Sequence, residues 1–174
     1  MSGDQPLILD SGCGTGDSSF NLARKFPEAR VLGFDRSEIR LDKLERKHQL
    51  PKNCLVVRAD ADDLWRQLVT MQIKPTRHYL FFPNPYPKAA QLNRRWHGSP
   101  VFPYLLKLGG EIELRSNWKT YLDEFSEAVL LASKVPSHIE QYSPDRAFSA
   151  FETKYQSSGQ SLWRLRCDLS NNAL

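Results

Sequence analysis

Residues 10–16 read DSGCGTG: a carboxylate at Asp10, then glycines at Gly12, Gly14 and Gly16. Alternating glycines let the backbone approach a ligand with no Cβ in between. A helix beginning at once behind them offers free N–H groups. The dinucleotide fingerprint needs its third glycine one residue later, where Asp17 stands. Asp10 would also repel a pyrophosphate, and it suits a ligand with an ammonium group. S-adenosylmethionine carries an α-amino group and an adenosine, and no phosphate. Asp35 follows the next apolar run, where a carboxylate accepts hydrogen bonds from ribose hydroxyls. Asp60-Ala61 follows the third run. There the Asp accepts from the exocyclic amine of an adenine, and the small Ala lets the ring lie close. A glycine loop alone is as readily a tight turn. Carboxylates after three consecutive strands turn it into a nucleotide-type site, with S-adenosylmethionine as the expected cofactor.

The second chemical feature is FFPNPYPK at residues 81–88, in which prolines surround Asn84, Tyr86 and Lys88. Proline fixes φ, so this stretch is a stiff corner. It follows a fourth apolar run, which ends at the same edge as the glycine loop. The expectation is that it overhangs the methyl group of the cofactor. Asn84 is then the candidate catalytic residue and a further cofactor contact. Between Asp63 and Glu111 there is no carboxylate, while Arg66, Lys74, Arg77, Lys88, Arg94, Arg95 and Lys107 all fall there. Part of this stretch is expected to form a cationic surface; the plain reading is a solvated face.

The elements that position these residues follow from apolar spacing and turn chemistry. Strands are expected over 6–10, 30–35, 54–59, 77–82, 111–115, 138–142 and 162–169. Helices are expected over 17–26, from a Ser37 cap to about 49, over 62–71 and over 121–133. Such alternation means an α/β fold: a mostly parallel sheet with helices on both faces. About 19 residues with Pro and Gly separate the last two strands. Read as too short for a crossover helix, they make an antiparallel C-terminal edge. The 174 residues fit one domain, 1–174. The hydrophobic fraction is 40% and no apolar run is long enough to span a membrane, so no membrane partner is expected. No basic region precedes the first apolar run, so no signal peptide is read there. Cys13, Cys54 and Cys167 form no CxxC pair, which argues for reduced thiols and a cytoplasmic protein. No metal is expected, since His48, His78, His97 and His138 fall in unrelated contexts.

These motifs, in order, resemble the bacterial tRNA (guanine-N7)-methyltransferases, class I enzymes that use S-adenosylmethionine. The family's corner is usually Pro-Asp-Pro-Trp-Pro-Lys before a basic run ending in Arg-Arg; here PNPYPK precedes Arg94-Arg95. Its helix, Gly-Gly turn and Thr-Asp-Trp motif correspond to VFPYLLKLGG and Ser116-Asn117-Trp118. Its Thr-Lys-Phe-Glu corresponds to Thr153-Lys154-Tyr155-Gln156, with Trp163 in the strand that follows. The resemblance implies the class I (Rossmann-like) methyltransferase fold and tRNA or another RNA as partner, in a monomer or homodimer. It also implies substrate contacts from Tyr86, Lys88, Arg94, Arg95, Asn117, Thr153 and Gln156. The departures are specific. Asn84, Asn117 and Gln156 are amides where the family carries carboxylates, and Ala89 and Ala90 thin the basic run. The segment that family members place before the first strand is read as absent. Two alternatives follow from the amides: a catalytically weak or inactive relative that binds cofactor or RNA, and methylation of an amino nitrogen.

Overall fold

The computed structural model describes residues 5–47 and 49–171; His48 and the start and end of the expected domain lie outside them. Among the described residues there are seven strands: β1 (Leu7–Ser11), β2 (Arg30–Asp35), β3 (Cys54–Arg58), β4 (Arg77–Phe81), β5 (Glu111–Ser116), β6 (His138–Tyr142) and β7 (Leu162–Asp168). The helices between them are α1 (Asp17–Lys25), α2 (Glu38–Lys47), α3 (Ala61–Thr70), α4 (Phe102–Leu108), α5 (Lys119–Ser133) and α6 (Ala150–Ser157). Short 3-10 turns at Ala89–Arg94 and Trp96–Gly98 lead from the corner into α4.

The strands form one sheet in the order β3-β2-β1-β4-β5-β7-β6. β1 to β5 are parallel, and β7 runs antiparallel to both β5 and β6. The order reverses between β1 and β4, which opens a crevice at their carboxyl ends.

Period-two alternation gives each strand two apolar faces. Leu9, Phe34, Leu80, Ile112 and Leu114 pack with Trp65, Leu105, Leu122 and Phe125 of α3, α4 and α5. Ile8, Val31, Tyr79 and Phe81 pack on the other face with Leu22 and Ala23 of α1. Gly33 sets how closely α1 sits: a Cβ there would fall 2.1 Å from Ser19 Oγ. That approach seats the glycine loop directly on the end of β2.

One expectation is corrected. The spacer between β6 and β7 contains a helix, α6, capped by Ser149, which accepts from Glu152 N at 3.2 Å. Its sequence is largely polar, so no apolar stripe marks it. It is held by one buried side chain: Glu152 accepts from Arg115 Nη1 at 2.9 Å and also from the Tyr142 hydroxyl and Phe148 N. The antiparallel edge stands, because so short a helix sits beside the sheet end without carrying the chain back along it.

Candidate active site

The carboxyl ends of β1, β2, β3 and β4 open into one cleft of about 650 Å³. Ser11, Gly12, Asp35, Asp60 and Ala61 line one side; Phe82 to Tyr86, Asn117 and two aromatic residues of α6 line the other.

The first side is made largely of backbone. Gly12, Gly14 and Gly16 adopt φ of 74°, 60° and 75°, a region that side chains disfavour. The N–H groups of Gly12 and Cys13 both donate to Phe34 O at 2.9 Å. Gly14 N donates to Asp35 Oδ2 at 3.0 Å. Gly12 is not demanded by packing, since a Cβ there would meet nothing within 4 Å; it lines the cleft and leaves that space to a ligand. Asp35 also accepts from Ser37 N at 2.8 Å and from Arg40 Nη1 at 3.2 Å. A carboxylate has about four lone-pair sites, so one remains for a hydroxyl. Asp60 caps α3 by accepting from Asp62 N at 3.0 Å. Its second oxygen has no partner among the described residues. Ala61 is buried at the cleft wall.

Asp10 lies beneath this loop, fully buried and off the cleft wall. One oxygen accepts from Ser18 Oγ and Ser19 Oγ, each at 2.6 Å, and the other has no partner. Burial pushes its pKa up to about 6, against the two serine bonds. The expectation of a carboxylate facing the ligand is corrected in this respect: Asp10 points to the α1 face of the sheet. Gly14 and Gly16 likewise support the loop from behind the wall.

The second side is built from side chains. The corner contains two non-glycine residues in left-handed conformation, Phe82 at φ 51° and Tyr86 at φ 43°. Such residues persist only where their surroundings hold them. Asn84 Oδ1 accepts from Tyr86 N at 3.3 Å and closes the turn. Arg95 holds it from below, with Nε and Nη2 both donating to Tyr86 O at 3.2 and 2.9 Å. Its Nη1 donates to Glu124, and its guanidinium lies 4.9 Å from the Trp118 ring centroid. With 4% of its surface exposed, Arg95 is closed off from a phosphate, and its expected substrate role is corrected to support of the corner. Arg94 is exposed, lines the cleft and lies over the Tyr86 ring at 5.9 Å. Lys88 is exposed just outside the cleft wall.

Two further expectations are corrected on α6. Thr153 Oγ1 donates back to Ser149 O at 3.2 Å, and Gln156 Nε2 donates to Pro144 O at 3.0 Å. Neither lines the cleft; Phe151 and Tyr155, one turn apart, do so instead. Phe151 is 42% exposed and stacks on Tyr155, with ring centroids 6.3 Å apart. Asn117 does line the cleft and donates to Gln160 Oε1 at 2.7 Å. The carboxylate-free stretch is partly neutralised by distant partners: Arg77 lies 3.5 Å from Glu111, and Arg95 pairs with Glu124.

Sequence reasoning missed Ser11, Arg36, Arg40, Trp96, Ser99 and Tyr121, all on the cleft wall. Arg36 and Arg40 were findable, because they follow Asp35 within its own loop and helix. Trp96, Ser99 and Tyr121 come from elements remote in sequence, with no local signal. No group of His, Cys, Asp and Glu among the described residues is arranged to hold a metal.

The profile of a family described as "putative methyltransferase" matches residues 4–165. The tRNA (guanine-N(7)-)-methyltransferase of Neisseria gonorrhoeae (strain NCCP11945) is 29% identical over 164 residues, covering 91% of this chain and 68% of that protein. The enzyme of the same name from Treponema pallidum (strain Nichols) is 26% identical over 165 residues, covering 92% and 66%. Among solved structures, a 16S rRNA (adenine(1408)-N(1))-methyltransferase from Catenulisporales acidiphilia with cosubstrate SAM superposes with a TM-score of 0.66 at 12% identity, covering 94% of this chain and 85% of that one. The fold is thus the Rossmann-like sheet of class I methyltransferases.

Proposed function

The chain belongs to the putative methyltransferase family, and from that premise we propose that it moves the methyl group of S-adenosylmethionine to a nitrogen of an RNA base, with guanine N7 of tRNA as the first candidate. The observation that carries this reading is the convergence of Asp35, Asp60, Ala61 and the Asn84 corner on one cleft. The relatives named for tRNA guanine N7 supply the substrate class.

The residues fit the cofactor. Gly12 leaves room for its backbone-side approach, and Asp35 keeps a lone pair for a ribose hydroxyl. Asp60 keeps an oxygen for the adenine amine beside Ala61. When bound, the cofactor supplies an electrophilic methyl group on a sulfonium. The protein's work is positioning and electrostatics. Guanine N7 offers a free lone pair, so no general base is needed. The corner holds Asn84 and Tyr86 in a fixed geometry at the cleft, and Phe151 and Tyr155 offer faces for stacking. Arg94 supplies a phosphate contact at the rim, with Lys88 beyond it. Thiols at Cys13, Cys54 and Cys167 that are all unpaired, together with a tRNA substrate, support a cytoplasmic setting.

A second reading rests on the amides of the cleft wall. Asn84 lends one lone pair to Tyr86 N and keeps the other. That lone pair can accept a proton from an amino group, but the amide cannot compensate the charge that develops on N7-methylguanine. Labelled S-adenosylmethionine with bulk tRNA, followed by nucleoside analysis, separates the readings. Label in 7-methylguanosine is expected. Label on an exocyclic amine would select the second reading. No label in the wild type, with activity restored by Asn84→Asp and Asn117→Asp together, would identify a weakened relative.

A further inference from the structure

The corner side of the cleft has two walls, the Asn84 turn and the α6 residues Phe151 and Tyr155. Both are tied to one residue, Arg115, near the end of β5. Its carbonyl accepts from Phe82 N at 2.8 Å. Phe82 is the left-handed residue that turns the chain from β4 into the corner. Its guanidinium donates through Nη1 to Glu152 Oε1 at 2.9 Å, and Glu152 holds α6 in place. The two walls also meet directly, since the rings of Phe82 and Tyr155 lie 5.6 Å apart.

Arg115 has little freedom of its own. It is buried behind the cleft wall, and its Nε donates to Glu113 Oε1 at 2.6 Å. The other oxygen of Glu113 accepts from Arg166 Nε at 3.0 Å. Two acids and two guanidiniums therefore balance one another. The rings of Phe81, Tyr142 and Phe148 surround Arg115, with centroids 4.7, 5.3 and 5.5 Å from its guanidinium carbon. A buried ion pair is often no more stabilising than apolar side chains of similar volume. What it adds is direction, because a guanidinium is a planar fork with fixed donor geometry. Bonds from Nε and Nη1 to two different carboxylates fix the plane of that fork.

We infer that Arg115 is a positioning residue for methyl transfer, and that its carbonyl and its pair with Glu152 together set the gap between Asn84 and the Phe151–Tyr155 face. The inference rests on the methyltransferase reading above. A misplacement of about 1 Å costs on the order of a hundredfold in rate. A gap built from two separate segments therefore needs a common anchor.

Glu152→Gln keeps the volume and removes the charge that holds the fork. Two amides report on the walls without any ligand: Phe82 N–H, bonded to Arg115 O, and Phe148 N–H, bonded to Glu152. Hydrogen exchange at both is expected to accelerate in the variant. With labelled S-adenosylmethionine and bulk tRNA, kcat should fall about tenfold or more, with KM for tRNA moving less. S-adenosylhomocysteine affinity by calorimetry should stay within about twofold, since Asp35 and Asp60 are remote from the change. Arg115→Met combined with Glu152→Leu replaces the pair by apolar side chains, an exchange that folded proteins often tolerate. Its kcat should stay low even where its melting temperature matches the wild type. Faster exchange at Phe148 alone, an unchanged kcat, or a cofactor affinity that falls in step with kcat would each overturn the assignment. Full activity in the double variant would do the same. A wild type that transfers no methyl group would overturn the reaction and with it the role in transfer; the exchange result would then decide alone whether Arg115 couples the two walls.

Discussion

The two sides of the cleft are held together over different distances along the chain. On the side of β1 to β3, the acids have partners close by: Asp60 with Asp62 N, Asp35 with Ser37 N, and Asp35 with Gly14 N of the loop on the adjacent strand, while Ser11 reaches farther, to Trp65 and His78. On the corner side, Arg95 reaches Glu124, Arg115 reaches Glu152, and the carbonyl of Phe148 is held by Asn21. The first side presents loop backbone and short acids that suit one invariant cofactor. The second presents longer side chains whose geometry depends on packing. A substitution should therefore act locally on the first side and through the fold on the second.

The largest expected effect is on the first side. Asp35→Ala removes the proposed ribose contact and leaves Gly14 N, Ser37 N and Arg40 without their acceptor, and S-adenosylhomocysteine affinity should fall about a hundredfold, from one charged hydrogen bond and a loosened loop. Thermal stability should change less than affinity, which calorimetry and a melting curve on one sample would show. A purely structural loss would lower the melting point first and break the contrast.

Arg95→Ala should act in the opposite way. It leaves Tyr86 O and Glu124 without their main partner, at a cost of about 2–3 kcal/mol in chemical denaturation. Arg95→Lys should recover little, because one ammonium cannot reproduce the two bonds to Tyr86 O. Full recovery by Lys would mean that charge alone supports the corner.

Asp10 gives a pH test of the first side. Its folded pKa of about 6 lies above the ordinary 3.8, so the native chain holds this proton more tightly than the unfolded chain. Stability present below pH 4 is lost as pH rises through 6, on the order of 3 kcal/mol. Asp10→Asn should flatten that decline. An equally steep decline in Asp10→Asn would place the source of the pH dependence in another group.

The smallest effects belong to exposed cations. Arg94→Ala and Lys88→Ala should each change stability by no more than about 0.5 kcal/mol. Each should reduce the salt dependence of tRNA binding by roughly one counterion. An unchanged slope would remove that residue from the interface.

Legibility divided along the same line. The strands were readable because their apolar runs end in Gly, Pro or Asp, and the glycine loop because acids follow the neighbouring strands at the same edge. Asp60 and Ala61 were placed correctly on the cleft by their position after β3. Arg95 was misread because Glu124, which neutralises it, lies beyond the next strand in sequence. Thr153 and Gln156 were misplaced because α6 owes its existence to Glu152, a carboxylate in a polar stretch that reads as loop. Its burial against Arg115 rotates Phe151 and Tyr155 to the cleft.

By itself, the sequence determined the sheet, the strand ends at which the cleft opens and two of the carboxylates that line it, Asp35 and Asp60. Those depend on residue types and spacing within single βα units, where local backbone geometry decides. Only the tertiary structure decided which cations are spent in ion pairs and which aromatic rings face the cleft. Each of these depends on partners brought together from distant segments, and a buried hydrogen-bond inventory exists only once the chain has folded.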